Sequence, residues 1–319
     1  MKAILHHDAG PDFRTMLAAF RDRLNIAVVR PGQEDAHVAD LAEAEVLLHV
    51  LAPVSAAMMD CMPRLRLVQK IGVGTDAIDI QAARQRGIAV ANMPGTNTIA
   101  VAEMTLLLML AALRRLVSLS RLASTPTGWI EAGALGERLG EINGRTIGLL
   151  GYGAVARHIT PILTALGGQV IAHTRNPIEA NIPMLPLDDV LERSDILSLH
   201  LPARPETRHI LSRNAFQRMK RGVVLINTAR GSLIDQDALF DALESGHVAA
   251  AGLDVFAMEP PAETDRLLNH TAVITTPHVA WLTPETLARS LEVAAQNALR
   301  LNSGTALLNT IVALPLEHI

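Results

Sequence analysis

Three residues suited to acid–base chemistry on a small acid lie in the second half of the chain. Arg230, Glu259 and His278 each follow within a few residues of an apolar run that is typical of a buried strand. A guanidinium holds a carboxylate in a forked contact, and an imidazole gives or takes a proton near neutral pH. A nearby glutamate would orient the imidazole and favour its protonated form. If these residues converge near a nicotinamide, the set indicates reversible hydride transfer to a 2-oxo acid, with the proton moving at the carbonyl oxygen.

The placement of all three residues after strands of one predicted sheet is stronger evidence for a site than any one of them. Taken singly, Arg230 would pass for a charge beside a helix, Glu259 for a solvated loop residue, and His278 for one of 12 histidines. The carboxyl ends of parallel strands meet at one edge of a sheet, where ligands bind in open α/β folds. Asp254 directly follows the strand-like run Ala249–Leu253, which also precedes Glu259, and it belongs to the same edge.

The segment from Arg145 to Arg175 predicts a dinucleotide site. A short apolar run is followed at once by the turn GYGAVA, which spans Gly151–Ala156, and then by a helical stretch and a second strand. In this G-x-G-x-x-G/A pattern the glycines allow a tight turn and close approach to a pyrophosphate. The amides at the helix N-terminus would bind the phosphates. A structural glycine turn is the alternative.

The end of the second strand in this segment bears on the type of cofactor. A carboxylate there would bind the ribose 2′-OH of NAD. This chain has the sequence HTRN over residues 173–176 instead, and Arg175 would hold a 2′-phosphate bidentately. A solvated surface arginine is the alternative. The sequence therefore predicts NADP as the preferred cofactor, with NAD possible, and no metal site.

Alternating strand-like and helix-like runs predict the elements that position these residues. A chain of 319 residues suits two domains. The predicted fold class is α/β with two doubly wound parallel-sheet domains: a Rossmann dinucleotide-binding domain at 97–286, and a smaller flavodoxin-like substrate domain at 1–96 plus 287–319. One helix is expected from residue 98 to about Arg121, followed by a looser segment over Ser124–Gly140. The site is expected in the cleft between the domains.

Bulk composition narrows the class of protein. Hydrophobic residues make up 49% of the chain, and the net charge is −4 with scattered Lys and Arg, which gives no reason to expect nucleic acid. The longest apolar run contains Glu103 and is short for a membrane span. The N-terminus meets charge too soon for a signal peptide. The single cysteine, Cys61, excludes an internal disulfide. We expect a cytoplasmic protein without a membrane partner.

Several motifs occur in an order that is more specific than any one of them. They are Lys70–Asp79 (KIGVGTDAID), Pro94–Glu103 (PGTNTIAVAE), Gly151–Gly153, Ser198–Pro202 with Glu206–Arg208, Asn227–Gly231, Leu253–Phe256 with Glu259–Pro260, and Thr276–His278. With these motifs the chain resembles the D-isomer-specific 2-hydroxyacid dehydrogenases over nearly its whole length. That family includes glyoxylate/hydroxypyruvate reductases, D-lactate dehydrogenases and phosphoglycerate dehydrogenases.

The resemblance implies roles for the residues around the substrate. His278 would be the acid/base, Glu259 its partner, and Arg230 the anchor for the substrate carboxylate and carbonyl. The backbone N–H groups of Val73 and Gly74 would hold the other side of the carboxylate. The chain from Thr98 to the loop around Trp129 matches the dimer-forming region of the family, so a homodimer is expected.

The resemblance also implies a set of cofactor contacts. Asp254 would bind the nicotinamide carboxamide, and Pro202 and Thr207 would line the adenosine side. The full set is Gly151, Tyr152, Gly153, Ala154, Val155, Thr174, Arg175, Leu201, Pro202, Thr207, Thr228, Ala229, Arg230, Asp254 and His278. Thr174 stands where NAD-preferring members carry Asp, which favours NADP. Ala156 replaces the usual third glycine, which the fingerprint tolerates.

Three functions remain open at this point. The first is an NADP-dependent reductase of a small 2-oxo acid such as glyoxylate or hydroxypyruvate. The second is an NAD-linked dehydrogenase of another D-2-hydroxy acid, of the D-lactate or phosphoglycerate type. The third is a non-catalytic dinucleotide-sensing protein of the same fold. The sequence does not place six candidates for lining the pocket, which are His6, His7, His49, Lys70, Met258 and Trp281.

Overall fold

The structure, a computed structural model, describes residues 1–176 and 179–313. The chain divides into two compact units. The first unit is Met1–Asn97 with the segment from Leu282 onward, and the second unit is Thr98–Trp281. The boundary predicted after residue 286 falls inside the first turn of a helix, Pro284–Ser303. That helix belongs as a whole to the first unit, and the observed division therefore precedes it.

Strands and helices alternate through both units. The first unit begins with β1 Lys2–His6, α1 Pro11–Ala18, β2 Asn25–Val29, α2 Val38–Glu43, β3 Val46–His49, α3 Ala56–Asp60, β4 Leu67–Lys70, α4 Ile80–Gln85 and β5 Ala89–Ala91. The second unit has α5 Thr98–Leu113, α6 Leu116–Ala123, α7 Pro126–Gly136, β6 Thr146–Leu150, α8 Ala154–Ala165, β7 Gln169–His173, α9 Leu187–Arg193, β8 Ile196–Leu199, α10 Arg213–Arg218, β9 Val223–Asn227, α11 Gln236–Glu244, β10 Val248–Leu253 and β11 Val273–Thr275. The first unit is completed by α12 Pro284–Ser303 and β12 Thr310–Val312.

Each unit is built on one sheet with the same winding. Within the described residues the two sheets have six strands each, in the orders β12-β5-β4-β3-β1-β2 and β11-β10-β9-β8-β6-β7. Neighbouring strands pair in parallel except β12, which is antiparallel to β5. The chain changes winding direction between β1 and β3, and again between β6 and β8. The predicted fold class of two doubly wound parallel-sheet domains is confirmed.

Both faces of the second sheet are buried, which explains its continuous apolar strands. Leu150 and Leu199 pack into the core on one face, while Leu149 and Ile226 pack into the core on the other face under α5 and α8. With both faces apolar, polar side chains are left to the strand ends and the loops beyond them, where the predicted site residues lie.

The predicted continuous helix from residue 98 to Arg121 is wrong. The α5 helix ends at Leu113, and Arg115 adopts a left-handed backbone conformation with φ of 47° before α6 begins. The Arg115 guanidinium donates to the carbonyl oxygen of Ala249 at 2.9 Å, which ties the break to β10. A tertiary contact therefore sets this break, and the apolar pattern alone does not reveal it.

The predicted looser segment over Ser124–Gly140 is also wrong. Most of it is the helix α7, which begins with Pro126 and is capped by Thr125, whose hydroxyl accepts from the N–H of Gly128 at 3.1 Å. A Cβ at Gly128 would lie 2.0 Å from the carbonyl oxygen of Leu122. Glycine thus serves close packing between α6 and α7, and is not a loop signal here. Among the described helices, none has the length and apolar character needed to cross a membrane.

Candidate active site

The turn between β6 and α8 has the geometry that a pyrophosphate requires. Gly151 has φ of 94°, and a Cβ there would lie 2.6 Å from the carbonyl oxygen of His200. Gly153 caps α8 without a side-chain hydrogen bond, and no described atom lies within 4 Å of where its Cβ would stand. The first turn of α8 contains no acidic residue. The unpaired amides and the open space at this helix end fit a dinucleotide phosphate.

Of the remaining residues of the turn, three pack against the core and one is exposed. Ala156 is fully buried between α8 and the sheet, where a small side chain permits close packing. Tyr152 and Val155 are half-buried against the same core, and Ala154 is exposed at the start of the helix. The guanidinium of Arg157 donates to the Tyr152 carbonyl oxygen at 3.2 Å. The turn is therefore fixed from within the second unit.

Thr174 and Arg175 lie beside the glycine turn. The N–H of Gly151 donates to the carbonyl oxygen of His173 at 2.8 Å, directly before these two residues. Thr174 is half-buried and Arg175 is exposed. This end of β7 is where the fold presents a residue to the ribose of a dinucleotide. A hydroxyl and a guanidinium stand there, in place of a carboxylate.

The loops after β8 and β9 hold the other predicted cofactor residues. The Thr207 hydroxyl donates to the carbonyl oxygen of Pro202 at 2.8 Å and accepts from the N–H of Arg204 at 2.9 Å, which closes the first loop. The Thr228 hydroxyl is buried 2.8 Å from the hydroxyl of Thr105. Leu201 and Ala229 are half-buried and pack on the apolar core. The two threonine hydroxyls therefore already have partners within the unit.

Arg230 stands in a turn organised by Asn227, a residue to which the sequence assigned no role of its own. The side-chain amide of Asn227 donates to the Arg230 carbonyl oxygen at 2.8 Å, and its oxygen accepts from the Ala229 N–H at 3.0 Å. At Gly231 a Cβ would lie 1.9 Å from the backbone of Phe256. The turn with Arg230 therefore packs directly on the loop that carries Glu259. The sequence feature that could have identified Asn227 is that it is a polar residue at the end of an apolar strand.

His278 and Glu259 form a close polar pair in the site. Nδ1 of His278 lies 2.5 Å from Oε2 of Glu259, and Oε1 of Glu259 accepts from the Phe256 N–H at 2.9 Å. Burial by itself raises the pKa of Glu259, but the hydrogen bonds from His278 and Phe256 and the nearby charge of Arg230 lower it overall. An ionised carboxylate therefore faces Nδ1. Nε2 is left as the ring nitrogen that can exchange a proton.

Asp254 fixes the segment that carries His278. Its carboxylate accepts from the Thr276 hydroxyl at 2.6 Å and from the N–H groups of Val279 and Ala280 at 2.9 and 3.0 Å. Its carbonyl oxygen accepts from the N–H of His278 at 2.8 Å. Asp254 is almost fully buried, and this burial raises its pKa. The contacts of Thr276, Val279 and Ala280 were not identified from the sequence.

The backbone of His278 is held in an uncommon conformation. Its φ of 54° lies in the left-handed region, where a residue without a special reason is rarely found. The indole N–H of Trp281, which is 7% exposed, donates to the His278 carbonyl oxygen at 3.1 Å. Both backbone polar groups of His278 are thus engaged, and its orientation is set by the surrounding loop.

Val73 and Gly74 belong to the first unit, in the loop that follows β4. The side-chain amide of Asn92 donates to the Val73 carbonyl oxygen at 2.9 Å, and the N–H of Met93 donates to the Gly72 carbonyl oxygen at 2.8 Å. Val73 is 46% exposed. The loop is thus held by its carbonyl oxygens, so that its amides can serve as donors to an acidic ligand.

Comparisons with known proteins agree with this geometry. Residues 106–280 match the family model described as D-isomer specific 2-hydroxyacid dehydrogenase, NAD binding domain. Over 254 residues the chain is 37% identical to hydroxypyruvate reductase from Thermotoga maritima, which covers 78% of this chain and 82% of that protein. Over 280 residues it is 36% identical to D-3-phosphoglycerate dehydrogenase from Mycobacterium tuberculosis, covering 86% of this chain and 52% of that protein. The chain thus spans about half the length of that relative.

A solved structure extends the similarity to almost every residue. The TT0316 protein from Thermus thermophilus superposes with a TM-score of 0.85 at 33% identity, covering 98% of this chain and 100% of that one. The family model itself covers more than half of the chain. The chain therefore belongs to the D-isomer specific 2-hydroxyacid dehydrogenase family, and it is an oxidoreductase with an NAD(P)-binding domain that acts on the CH–OH group of 2-hydroxy acids.

Proposed function

We propose that this protein is an NADP-preferring reductase of a small 2-oxo acid such as glyoxylate or hydroxypyruvate, with His278 as the acid/base. The observation that carries the proposal is the 2.5 Å contact between Nδ1 of His278 and Glu259, in a unit that also presents Arg230. A carboxylate fixed on one ring nitrogen sets the tautomer and leaves the other nitrogen for proton exchange.

Each residue of the proposed site has a separate role in the reaction. A nicotinamide cofactor, when bound, would supply the hydride. Arg230 binds the substrate carboxylate and polarises the carbonyl, and the amides of Val73 and Gly74 are proposed as further donors to a carboxylate. His278 gives the proton of Nε2 to the carbonyl oxygen as negative charge develops there. Glu259 stabilises the charged imidazole before transfer, and Asp254 keeps the segment of His278 in place.

Preference for NADP is supported by the residues that follow β7. Arg175 is exposed next to the glycine turn, and the half-buried Thr174 contributes no negative charge. A charge-assisted hydrogen bond is worth about 1.5–3 kcal/mol, or roughly 10- to 150-fold in an equilibrium. We therefore expect Arg175→Ala to lower kcat/KM for NADPH by about 10- to 100-fold and to leave kcat/KM for NADH nearly unchanged.

Initial rates with NADPH and NADH, measured with glyoxylate and hydroxypyruvate, test this expectation. Arg193→Ala removes an exposed arginine at the end of α9 and serves as the matched control. Equal or better efficiency of the wild type with NADH would overturn the NADP preference and keep the reaction class.

An NAD-linked dehydrogenase of another D-2-hydroxy acid is the second candidate, and the similarity to a phosphoglycerate dehydrogenase favours it. A dinucleotide-sensing protein is the third. The substitution His278→Ala separates catalysis from sensing, because proton transfer at the carbonyl requires the imidazole. We expect it to remove most reductase activity while NADPH binding, followed by fluorescence, persists. Activity near that of the wild type would show that His278 is not the acid/base.

A homodimer is part of the proposal. Exposed apolar side chains lie along α5, α6 and α7, where Leu107 is 53%, Leu116 51%, Trp129 74% and Ile130 83% exposed. Apolar surface of this kind marks a contact with another protein, and this stretch corresponds to the dimer-forming region that the family resemblance implies. Light scattering tests it: we expect the mass of a dimer for the wild type and of a monomer for Trp129→Glu with Ile130→Glu. A monomeric wild type would refute the assembly.

A further inference from the structure

Three basic side chains form one row at the carboxyl edge of the first sheet. The register pairs His6 at the end of β1 with His49 at the end of β3, and His49 with Lys70 at the end of β4. Residues paired in this way on parallel strands project from the same face of the sheet. The row crosses the point where the winding changes direction between β1 and β3, which is where open α/β sheets bind ligands.

His49 presents a buried hydrogen-bond acceptor that has no partner among the described residues. Its Nε2 lies 2.9 Å from the carbonyl oxygen of Ala52, and a carbonyl oxygen only accepts, so Nε2 carries the proton. Burial and the nearby charge of Lys70 lower the pKa of His49 to about 3, so the ring is neutral. Nδ1 is then a bare acceptor. It is buried, and no described residue forms a hydrogen bond with it.

His6 repeats this arrangement on the neighbouring strand. Its Nε2 donates to Oε1 of Glu34 at 2.7 Å, and the same oxygen accepts from the N–H of Gly32 at 3.0 Å. The side chain of His6 is 3% exposed, and its Nδ1 has no hydrogen-bond partner among the described residues. Unpaired buried nitrogens are rare because each loses its hydration without compensation. Two such nitrogens, on residues paired across neighbouring strands, indicate a binding site for a polar group of a ligand.

Lys70 connects this row to the loop proposed to bind the substrate carboxylate. Its ammonium donates to the carbonyl oxygen of Val50. Its Cε lies 3.6 Å from the position of a Cβ at Gly72, where the loop that contains Val73 and Gly74 begins. The two histidines are therefore neighbours, through Lys70, of the proposed carboxylate site in the same unit.

We propose that His6 and His49 form a subsite for a hydroxyl group on C3 of the 2-oxo acid. A hydroxyl donates its one proton to the bare Nδ1 of His49, and its oxygen can accept from Nδ1–H of His6 when that ring carries both protons. A methyl group would leave both nitrogens unpaired, and a phosphate dianion would meet the lone pair of His49 with acceptors only. The described residues contain no group of three His, Cys, Asp or Glu suited to a metal. This inference rests on the proposed reductase function.

Three substrates test the subsite in the wild type without any substitution. Hydroxypyruvate has the C3 hydroxyl, pyruvate has the same carbon skeleton without it, and glyoxylate lacks C3. A site built for a hydroxyl rejects the analogue without it, because its polar groups stay unpaired. We expect kcat/KM for hydroxypyruvate to exceed that for pyruvate by at least about 10-fold.

The substitution His49→Phe keeps a planar ring and removes the acceptor. We expect the ratio of kcat/KM for hydroxypyruvate over glyoxylate to fall by about 10-fold or more in this variant. His37→Ala removes a partly exposed histidine of the same unit, which pairs with Asp40, and we expect it to leave the ratio unchanged.

The outcomes separate this inference from the proposed function. Wild-type protein that reduces glyoxylate but turns over pyruvate as efficiently as hydroxypyruvate would overturn the subsite alone. Faster turnover of 3-phosphohydroxypyruvate than of hydroxypyruvate, or an unchanged ratio in folded His49→Phe protein, would do the same. Failure with all of these acids would overturn the proposed function, and the subsite with it.

Discussion

The substitution Glu259→Gln tests how the carboxylate controls the proton of His278. Glu259 uses both oxygens as acceptors, one for the N–H of Phe256 at 2.9 Å and one for Nδ1 of His278 at 2.5 Å. A glutamine has one acceptor oxygen and one NH₂ donor in nearly the same shape. Either the Phe256 N–H or the His278 ring must then face a donor.

The expected size of the effect follows from this geometry. If the NH₂ faces His278, the ring must keep Nδ1 bare and place its proton on Nε2, which blocks proton uptake in the oxidative direction. The lost charge-assisted hydrogen bond is worth about 1.5–3 kcal/mol. At about 1.4 kcal/mol for each tenfold change in rate, kcat should fall by roughly 10- to 150-fold.

The assay measures kcat and kcat/KM for reduction and for oxidation between pH 5 and pH 9. We expect the loss of activity in Glu259→Gln to be larger in the oxidative direction, because a ring that keeps its proton on Nε2 cannot accept another there. Glu259→Asp retains the charge on a shorter side chain and should recover part of the rate. The reasoning is refuted if kcat of Glu259→Gln stays within twofold of the wild type across this range while cofactor binding is intact.

Three further expectations concern the cofactor turn, the first-unit core and the wild-type pH profile. Gly151→Ala should destabilise the protein by about 1–3 kcal/mol, because Gly151 has φ of 94° and its added Cβ would meet the backbone of His200. Gly153→Ala should change stability little and weaken NADPH binding. Urea unfolding and fluorescence titration with NADPH distinguish the two variants, and equal stability of both would contradict the turn geometry. Asn297→Leu should lower the free energy of unfolding in urea by about 2–4 kcal/mol, since the Asn297 amide donates to Gln69 at 2.6 Å and its oxygen accepts from the N–H of Leu308 at 2.7 Å in the core. Gln296→Leu changes an exposed residue and is the control. A loss no larger than in that control would show that the hydrogen bonds of Asn297 are unimportant for stability. In the wild type, reductive activity should decline as pH rises and oxidative activity should increase, because reduction needs a charged His278 and oxidation a neutral one; the same trend in both directions would count against this role.

Much of the architecture could be predicted from local patterns. Parallel strands buried on both faces read as short apolar runs, and the glycine turn after β6 needs Gly151 for a conformation that other residues resist. Both features are properties of neighbouring residues, so they are visible without the fold. The break at Arg115 and the helix α7 were not predicted, because a bond to Ala249 and close packing at Gly128 decide them, and both partners come from other elements.

The sequence by itself determined the order of strands and helices, the glycine turn, and which side chains follow which strand. Their chemistry was therefore known as a set: Arg230, Glu259 and His278 with Asp254 nearby. Only the tertiary structure decided which atoms meet, such as Nδ1 of His278 with Glu259, and Asp254 with Thr276. It also decided that His6 and His49 lie in register on paired strands. Such contacts join residues far apart in the chain, and their distances depend on strand register and loop packing, which no local pattern encodes.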